Sequence, residues 1–171
     1  MNIRHFEGVA DARAILRTNV LAWREAYRDL LPAAVLAERD PEPAEDPIRE
    51  YADQLRADRD GIYVAEVDGA VRGYSYFRWG EETKSFVGEN EAGLKEIYVA
   101  PDHWGQGVGT ALLERGLEDL PERIDRLKLE MLDGNDLGHR FYAARGFERT
   151  GSDEFEIAGK PYPTAIYTLE L

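Results

Sequence analysis

The sequence predicts an α/β fold in which helices flank a mixed sheet. Strand-like and helix-like segments alternate along the 171 residues. Residues 94–115 have the pattern of a strand, a glycine-rich loop and a helix, and Asp68-Gly69 joins two strand-like runs as a β-hairpin turn would. A chain of this length buries a full hydrophobic core, so we expect one domain over residues 1–171.

The first part of the chain indicates one short strand and two helices. Residues 2–6 are strand-like, and Asp11 is a candidate N-cap for a helix that ends before Pro32. Its apolar residues keep helical spacing; they are Leu16, Val20, Trp23, Tyr27 and Leu30. Three prolines predict a loop over residues 41–47. A second helix follows, marked by Ile48, Tyr51 and Leu55.

The remaining segments predict five or six more strands and two more helices. Residues 61–67 and 70–79 form the hairpin, and residues 81–91 form a polar loop. Residues 127–132 alternate as a strand does, and a helix follows over residues 135–146. A second hairpin is expected from residues 147–157 and 162–169, turning at residues 158–161.

The glycine-rich loop predicts an anion-binding site. Glycines at 105, 107 and 109 let the backbone approach a ligand closely. At a helix start the N–H groups have no intrahelical partner and the helix dipole is positive, so a phosphate or diphosphate is the natural occupant. A Walker loop would need a lysine before Thr110, and the dinucleotide fingerprint has a different glycine spacing. A nucleotide-binding domain is therefore disfavoured.

Two motifs resemble the GNAT superfamily of N-acetyltransferases. The acetyl-CoA loop of that superfamily, Arg/Gln-x-x-Gly-x-Gly/Ala, matches residues 104–109 with Trp104 in the first position. Because the family loop works mainly through backbone N–H groups, we expect Trp104 to change one side-chain contact and leave the site intact. The second motif, Asn-x-x-Ala-x-x-Phe-Tyr-x-x-x-Gly-Phe, matches residues 135–147 with Gly138 in place of alanine.

The resemblance implies a fold and a co-substrate. The fold is a mostly antiparallel sheet of six to seven strands with about four helices, in the order β-α-α-β-β-β-α-β-α-β-β. The co-substrate is acetyl-CoA, without a metal. Backbone groups at the end of one strand would face the pantetheine and the thioester. The residues that the resemblance assigns to acetyl-CoA are Ile97, Tyr98, Val99, Trp104, Gly105, Gln106, Gly107, Val108, Gly109, Thr110, Asn135 and Tyr142.

Tyr142 and Glu96 are the candidate catalytic residues. Phe141 lies roughly 100° from Tyr142 around the helix and suits the core, which leaves the Tyr142 hydroxyl to protonate the departing thiolate. The alternative is a tyrosine that only packs. Glu96 is a candidate general base, or else a solvated or ion-paired strand residue. Asn135 could bind pantetheine, act as a helix N-cap, or do both.

Other residue types narrow the chemistry. Trp23, Tyr27, Tyr74 and Tyr76 could line an acceptor pocket, although such spacings are more often core. Three histidines lack metal-ligand spacing and are expected at the surface; they are His5, His103 and His139. The chain has no cysteine, which excludes an acyl-cysteine intermediate and favours direct attack in a ternary complex.

Charge and hydropathy indicate the kinds of partner. The formal charge of −13, from 34 acidic and 21 basic residues, repels nucleic acid and anionic membranes and attracts cationic amines. Its alternative role is solubility alone. No long apolar run or apolar leader is present, so we expect a cytoplasmic protein without a membrane segment. The oligomeric state stays open, a homodimer included.

These observations predict an N-acetyltransferase acting on a primary amine of a small, cationic molecule. The residues from 148 onward are similar over short stretches to spermidine/spermine acetyltransferases, which favours polyamines. Two alternatives stay open. One is a non-catalytic acyl-CoA-binding sensor or regulatory module, and the other is an acetyltransferase for peptide N-terminal amines.

Overall fold

A computed structural model describes residues 1–171 and contains seven strands and five α-helices. The strands are β1 (Asn2–His5), β2 (Ile62–Val67), β3 (Ala70–Trp79), β4 (Glu91–Val99), β5 (Arg126–Leu132), β6 (Glu148–Ile157) and β7 (Lys160–Glu170). The helices are α1 (Val9–Ala26), α2 (Ala33–Ala37), α3 (Glu45–Ala57), α4 (Val108–Glu118) and α5 (Asp136–Ala143). The predicted fold class is confirmed, and the five-residue helix α2 is the one element that the sequence analysis did not predict.

The strands follow the order β1-β2-β3-β4-β5-β7-β6. β1 with β2, β2 with β3, β5 with β7 and β6 with β7 are antiparallel, whereas β4 and β5 are parallel. By its internal contacts the chain divides into two compact units, residues 1–77 with 96–120 and residues 78–95 with 121–171. No helix is both long enough and apolar enough to cross a membrane.

The first unit has a core between its helices and strands. Buried residues of α1, α3, β2 and β3 pack together with the side chain that follows β1. They are Phe6, Ala12, Ile15, Ile48, Ala52, Leu55, Ile62, Val64, Tyr74 and Tyr76. The predicted second helix therefore buries the expected Ile48 and Leu55. It begins at Glu45, so Pro47 lies in its first turn, where no intrahelical acceptor requires the missing N–H.

The buried face of α1 differs from the predicted stripe. Leu16 and Trp23 are only partly buried, whereas Ala12, Ile15 and Asn19 are buried. The spacing of large apolar residues does not predict this face, because the face includes small and polar side chains. The helix ends at Ala26, well before Pro32.

Asp11 is not the N-cap of α1, so that prediction was wrong. Gly8 holds the N-cap position and Asp11 lies in the first turn. The Asp11 carboxylate accepts two hydrogen bonds from the Arg4 guanidinium at 2.7 and 2.9 Å, and one from the Glu7 N–H at 2.9 Å. This ion pair connects the end of β1 to the first turn of α1.

Both predicted hairpins are present. Asp68 and Gly69 have φ values of 52° and 77°, as a two-residue turn that matches the strand twist requires. In the second hairpin the turn is Ala158-Gly159 alone, with φ values of 50° and 79°. β7 is consequently longer than the predicted residues 162–169, and it contains Pro161 opposite Glu156.

Candidate active site

The glycine loop leads from the end of β4 to the start of α4. A 3₁₀ turn covers Pro101–His103, and α4 begins at Val108. Gly105 and Gly107 have φ values of 73° and 81°, in the left-handed region that favours glycine. A Cβ added at either glycine would have no atom within 4 Å, so the space around the loop is open.

The start of α4 offers backbone donors to that open space. The first intrahelical hydrogen bond runs from the Ala111 N–H to the Gly107 carbonyl at 3.0 Å. The N–H groups of Val108 and Gly109 precede it, in the turn where a helix has no acceptor of its own. The positive end of the helix dipole adds to them. The loop therefore fits an anionic group such as the diphosphate of a coenzyme.

Trp104 connects the loop to the strand before it. Its indole N–H donates to the Val99 carbonyl at 2.7 Å, and its ring is half-buried. The Gln106 side-chain amide donates to the Asp102 carbonyl at 3.0 Å. Both side chains bind backbone carbonyls of the strand and turn, so they brace the loop from its own unit.

Packing against β3 fixes where α4 lies. A Cβ at Gly73 would be 3.1 Å from atoms of both Val108 and Leu112 and 3.2 Å from the Tyr98 carbonyl oxygen. These contacts are tight, so the glycine allows α4 to approach the sheet closely. Ile97, Tyr98 and Val99, the predicted pantetheine-facing residues, are the partly exposed last residues of β4.

Glu96 is partly buried and lies at the end of a hydrogen-bonded chain. The Tyr74 hydroxyl donates to Glu96 Oε2 at 2.6 Å, and Asn19 Nδ2 donates to the Tyr74 oxygen at 2.6 Å. Burial first, and then the Glu96 charge, raise the pKa of Tyr74 well above its ordinary value. Burial and the same carboxylate raise the pKa of Tyr51. Glu96 is thus not fully solvated.

Three of the four aromatic candidates for an acceptor pocket belong to the core. Tyr27, Tyr74 and Tyr76 are buried. Trp23 is partly exposed, meets Tyr27 edge-on at 5.8 Å between ring centroids, and has the Arg39 guanidinium 5.5 Å from its ring. Trp23 is therefore the aromatic candidate that retains accessible surface.

In the second unit Asn135 is the N-cap of α5. Its side-chain oxygen accepts the Gly138 N–H at 2.9 Å, which confirms the capping role and leaves the side-chain NH₂ as a donor. A Cβ at Gly138 would lie 2.7 Å from the Met131 sulfur and 2.8 Å from Asn135 Nδ2. The glycine in place of the usual alanine therefore gives room to these two side chains.

Tyr142, and not Phe141, takes the core position of α5. Tyr142 is 9% exposed, with its ring centroid 5.2 Å from that of Phe147 and 6.4 Å from that of Tyr167. Phe141 is partly exposed, with the Arg145 guanidinium 3.7 Å from its ring centroid. The expectation that Phe141 fills the core was wrong, because a cation covers its outer face and makes an exposed aromatic position favourable.

His139 is a half-buried bridge, although a surface position was expected. Its Nε2 lies 2.6 Å from the Asp133 carbonyl oxygen and its Nδ1 2.6 Å from the Tyr167 hydroxyl. A carbonyl only accepts, so Nε2 carries a proton and donates it to the Asp133 carbonyl, while Nδ1 shares a hydrogen bond with the Tyr167 hydroxyl. No three His, Asp or Glu side chains group as metal ligands would.

Comparison with known proteins gives a family match over most of the chain. The model of the acetyltransferase (GNAT) family matches residues 21–147. An uncharacterized N-acetyltransferase of Archaeoglobus fulgidus is 33% identical over 141 residues, which cover 78% of this chain and 86% of the relative. The peptidyl-lysine N-acetyltransferase YjaB of Escherichia coli is 37% identical over 70 residues, 41% of this chain and 45% of YjaB.

A solved structure has the same fold. The PaiA N-acetyltransferase from Thermoplasma acidophilum in complex with coenzyme A superposes with a TM-score of 0.70, covering 100% of both chains at 18% identity.

Proposed function

The chain belongs to the acetyltransferase (GNAT) family and is an acetyl-CoA-dependent acetyltransferase, and we propose that its acceptor is a primary amine of a small molecule. The observation that supports acetyl-CoA binding is the left-handed Gly107 at the start of α4, with open space beside it. The family match includes segments of both compact units. This supports our proposal that residues 1–171 act as one domain.

Backbone groups are the proposed cofactor contacts. We assign the diphosphate to the N–H groups of residues 104–110, because that loop combines glycines with a helix start. We assign the pantetheine and thioester oxygen to the backbone of residues 97–99, with the free side-chain NH₂ of Asn135 as a further donor. Preorganised donors of this kind typically contribute about 3 kcal/mol to lowering the barrier.

Glu96 is the proposed general base. An alkylammonium must lose a proton before it attacks, and a carboxylate takes that proton directly or through a water molecule. The hydrogen bond from Tyr74 occupies one lone pair of Oε2. A carboxylate has about four such positions, and this hydrogen bond uses one of them.

Tyr142 is the proposed general acid. Acetyl-CoA, when bound, supplies the acetyl thioester. The Tyr142 hydroxyl gives its proton to the departing sulfur, while the ring is held by Phe147 and Tyr167. Because the chain has no cysteine, the acetyl group passes directly to the amine in a ternary complex.

The acceptor is proposed to be cationic, with polyamines first. The net charge of −13 and the carboxylate of Glu96 support a cation, although surface charges are screened beyond about 8 Å at physiological salt. The competing acceptor is a peptide amine, which the partial similarity to the peptidyl-lysine acetyltransferase YjaB supports.

A panel of amines tests the proposal through thiol release from acetyl-CoA. The panel contains spermidine, an aminoglycoside, neutral and acidic amino acids, and peptides with a free N-terminus or a free lysine. We expect spermidine or the aminoglycoside to have the highest kcat/KM. Preference for a neutral or anionic amine would refute the cationic acceptor, and preference for a peptide would establish the competitor. Acetyl-CoA binding without turnover of any amine would indicate a sensor module.

A further inference from the structure

Two buried side chains, distant from Glu96 in the sequence, hold its carboxylate. Tyr74 lies on β3 and is 1% exposed, and Asn19 lies on α1 and is 8% exposed. Their two hydrogen bonds, each 2.6 Å long, form a chain from Asn19 Nδ2 through the Tyr74 hydroxyl to Glu96 Oε2. All three residues belong to the first compact unit.

The direction of these hydrogen bonds follows from the available protons. A tyrosine hydroxyl has one proton to donate, and an ionised Glu96 can only accept. The Tyr74 proton is therefore directed to Glu96. Asn19 must then present an N–H to the Tyr74 oxygen, because a side-chain oxygen at that position would compete for the same proton.

This arrangement leaves one buried polar atom without a partner. Asn19 Oδ1 is buried, and no group of the protein donates a hydrogen bond to it. An unsatisfied buried acceptor destabilises a fold, since it loses its bonds to water. Asn19 destabilises the fold through this oxygen, and at the same time it orients Tyr74 toward the Glu96 carboxylate. We therefore expect Asn19 to have a role in the active site.

We infer that Asn19 and Tyr74 are positioning residues, which fix Glu96 Oε2 so that the rest of the carboxylate is directed to the acceptor amine. The inference rests on the proposed role of Glu96 as general base. Tyr74 acts through Glu96, and Asn19 acts through Tyr74.

Other groups around Glu96 keep Tyr74 in its donor role. Burial and the Glu96 charge raise the pKa of Tyr74, so its hydroxyl keeps its proton over the working pH range. On α3, burial and Glu96 raise the pKa of Tyr51 while Arg39 opposes the rise. On β4, the Tyr98 ring lies 6.0 Å from that of Tyr74. Among these neighbours only Arg39 is a cation.

Tyr74→Phe tests the inference with the panel amine that has the highest kcat/KM. We expect kcat to fall about tenfold, because hydrogen bonds to charged groups contribute on that scale. The KM for acetyl-CoA should not change. Tyr63→Phe is the matched control, since it removes a hydroxyl that donates to Asp119 at 3.1 Å. Its kcat and its KM for acetyl-CoA should match the wild type.

A double variant separates this inference from the proposed function. If Tyr74 acts through Glu96, Tyr74→Phe should not slow a Glu96→Gln enzyme any further. A further tenfold loss in the double variant would overturn the inference while leaving Glu96 as the base. A Glu96→Gln enzyme with the wild-type rate would refute the base itself. If the wild type acetylates no panel amine, the proposed function fails and the inference fails with it.

Asn19→Leu tests whether Asn19 positions Tyr74 or only packs in the core. Leucine has the same number of side-chain heavy atoms and the same branch point, and it removes both the donor to Tyr74 and the unpartnered oxygen. We expect the unfolding temperature to equal or exceed that of the wild type, while kcat falls about threefold or more with loss of a supporting hydrogen bond. Unchanged kcat, or a loss of kcat that only follows a loss of folded protein, would overturn the role of Asn19.

Discussion

The ring of Phe77 occupies the position that a side chain on Gly116 would take. An ideal Cβ at Gly116 would lie 2.0 Å from Cε2 and 2.2 Å from Cζ of Phe77. Phe77 is 1% exposed at the end of the buried part of β3, and Gly116 lies in the last part of α4. This contact sets how closely the C-terminal half of α4 packs on the sheet, as Gly73 does for its first half.

Gly116→Ala is therefore expected to destabilise the protein. Alanine improves helix propensity by about 1 kcal/mol. Overpacking a buried ring typically costs about 1–3 kcal/mol, and we expect the clash to dominate. Urea unfolding measures the difference, and adding Phe77→Leu to Gly116→Ala should recover part of the loss. A single variant as stable as the wild type would contradict the close packing.

Gly107→Asp should weaken acetyl-CoA binding at least tenfold, or about 1.4 kcal/mol, because it places a carboxylate at the proposed diphosphate site. Gly107→Asn is the matched control, since asparagine has the same shape without the charge and tolerates the left-handed conformation. Calorimetric titration of both variants should give a larger loss for aspartate. Equal affinities for the two variants and the wild type would refute the assignment of the loop.

Tyr142→Phe should lower kcat by roughly 10²-fold with little change in acetyl-CoA affinity, because it keeps the ring and removes the proposed acid. Tyr167→Phe removes a neighbouring hydroxyl that is bound to His139, and it should keep most of the wild-type kcat. Steady-state measurements with the panel amine of highest kcat/KM give kcat for both variants and for the wild type. A Tyr142→Phe variant with the wild-type kcat would refute the role of this tyrosine as general acid.

Asp119→Asn should destabilise the protein at neutral pH but not in acid. Burial raises the pKa of Asp119, but hydrogen bonds from Arg115 and Tyr63 outweigh it and hold the pKa below the ordinary 3.8. A lowered folded-state pKa gives stability that is present above that ordinary value and is lost as the pH falls through the lowered one. The wild type should therefore unfold at a higher temperature than the variant at pH 7, and the difference should shrink as the pH falls below 3.8. A difference that persists in acid would contradict this origin.

The features that depend on a few neighbouring residues could be predicted from the sequence. The Asp68-Gly69 turn and the glycines before α4 require positive φ angles, which glycine and aspartate supply locally, so their positions follow from residue type. The Asn135 cap follows for the same reason, since it bonds to an N–H only three residues ahead. These local rules, with the alternation of strands, also reproduced most of the order of elements that the family resemblance implies.

The sequence by itself thus determined the turns, the glycine loop and the family motifs, because each depends on short-range backbone requirements, and the motifs in turn implied the fold. Only the tertiary structure decided which side chains meet. Tyr74 and Glu96 are 22 positions apart in the chain, and Asn19 and Tyr74 are 55 positions apart, yet each pair forms a hydrogen bond. The exchange of Phe141 and Tyr142 and the shifted face of α1 have the same origin. Such contacts depend on strand register and on helix rotation, and a rotation by one residue, about 100°, gives a different buried face.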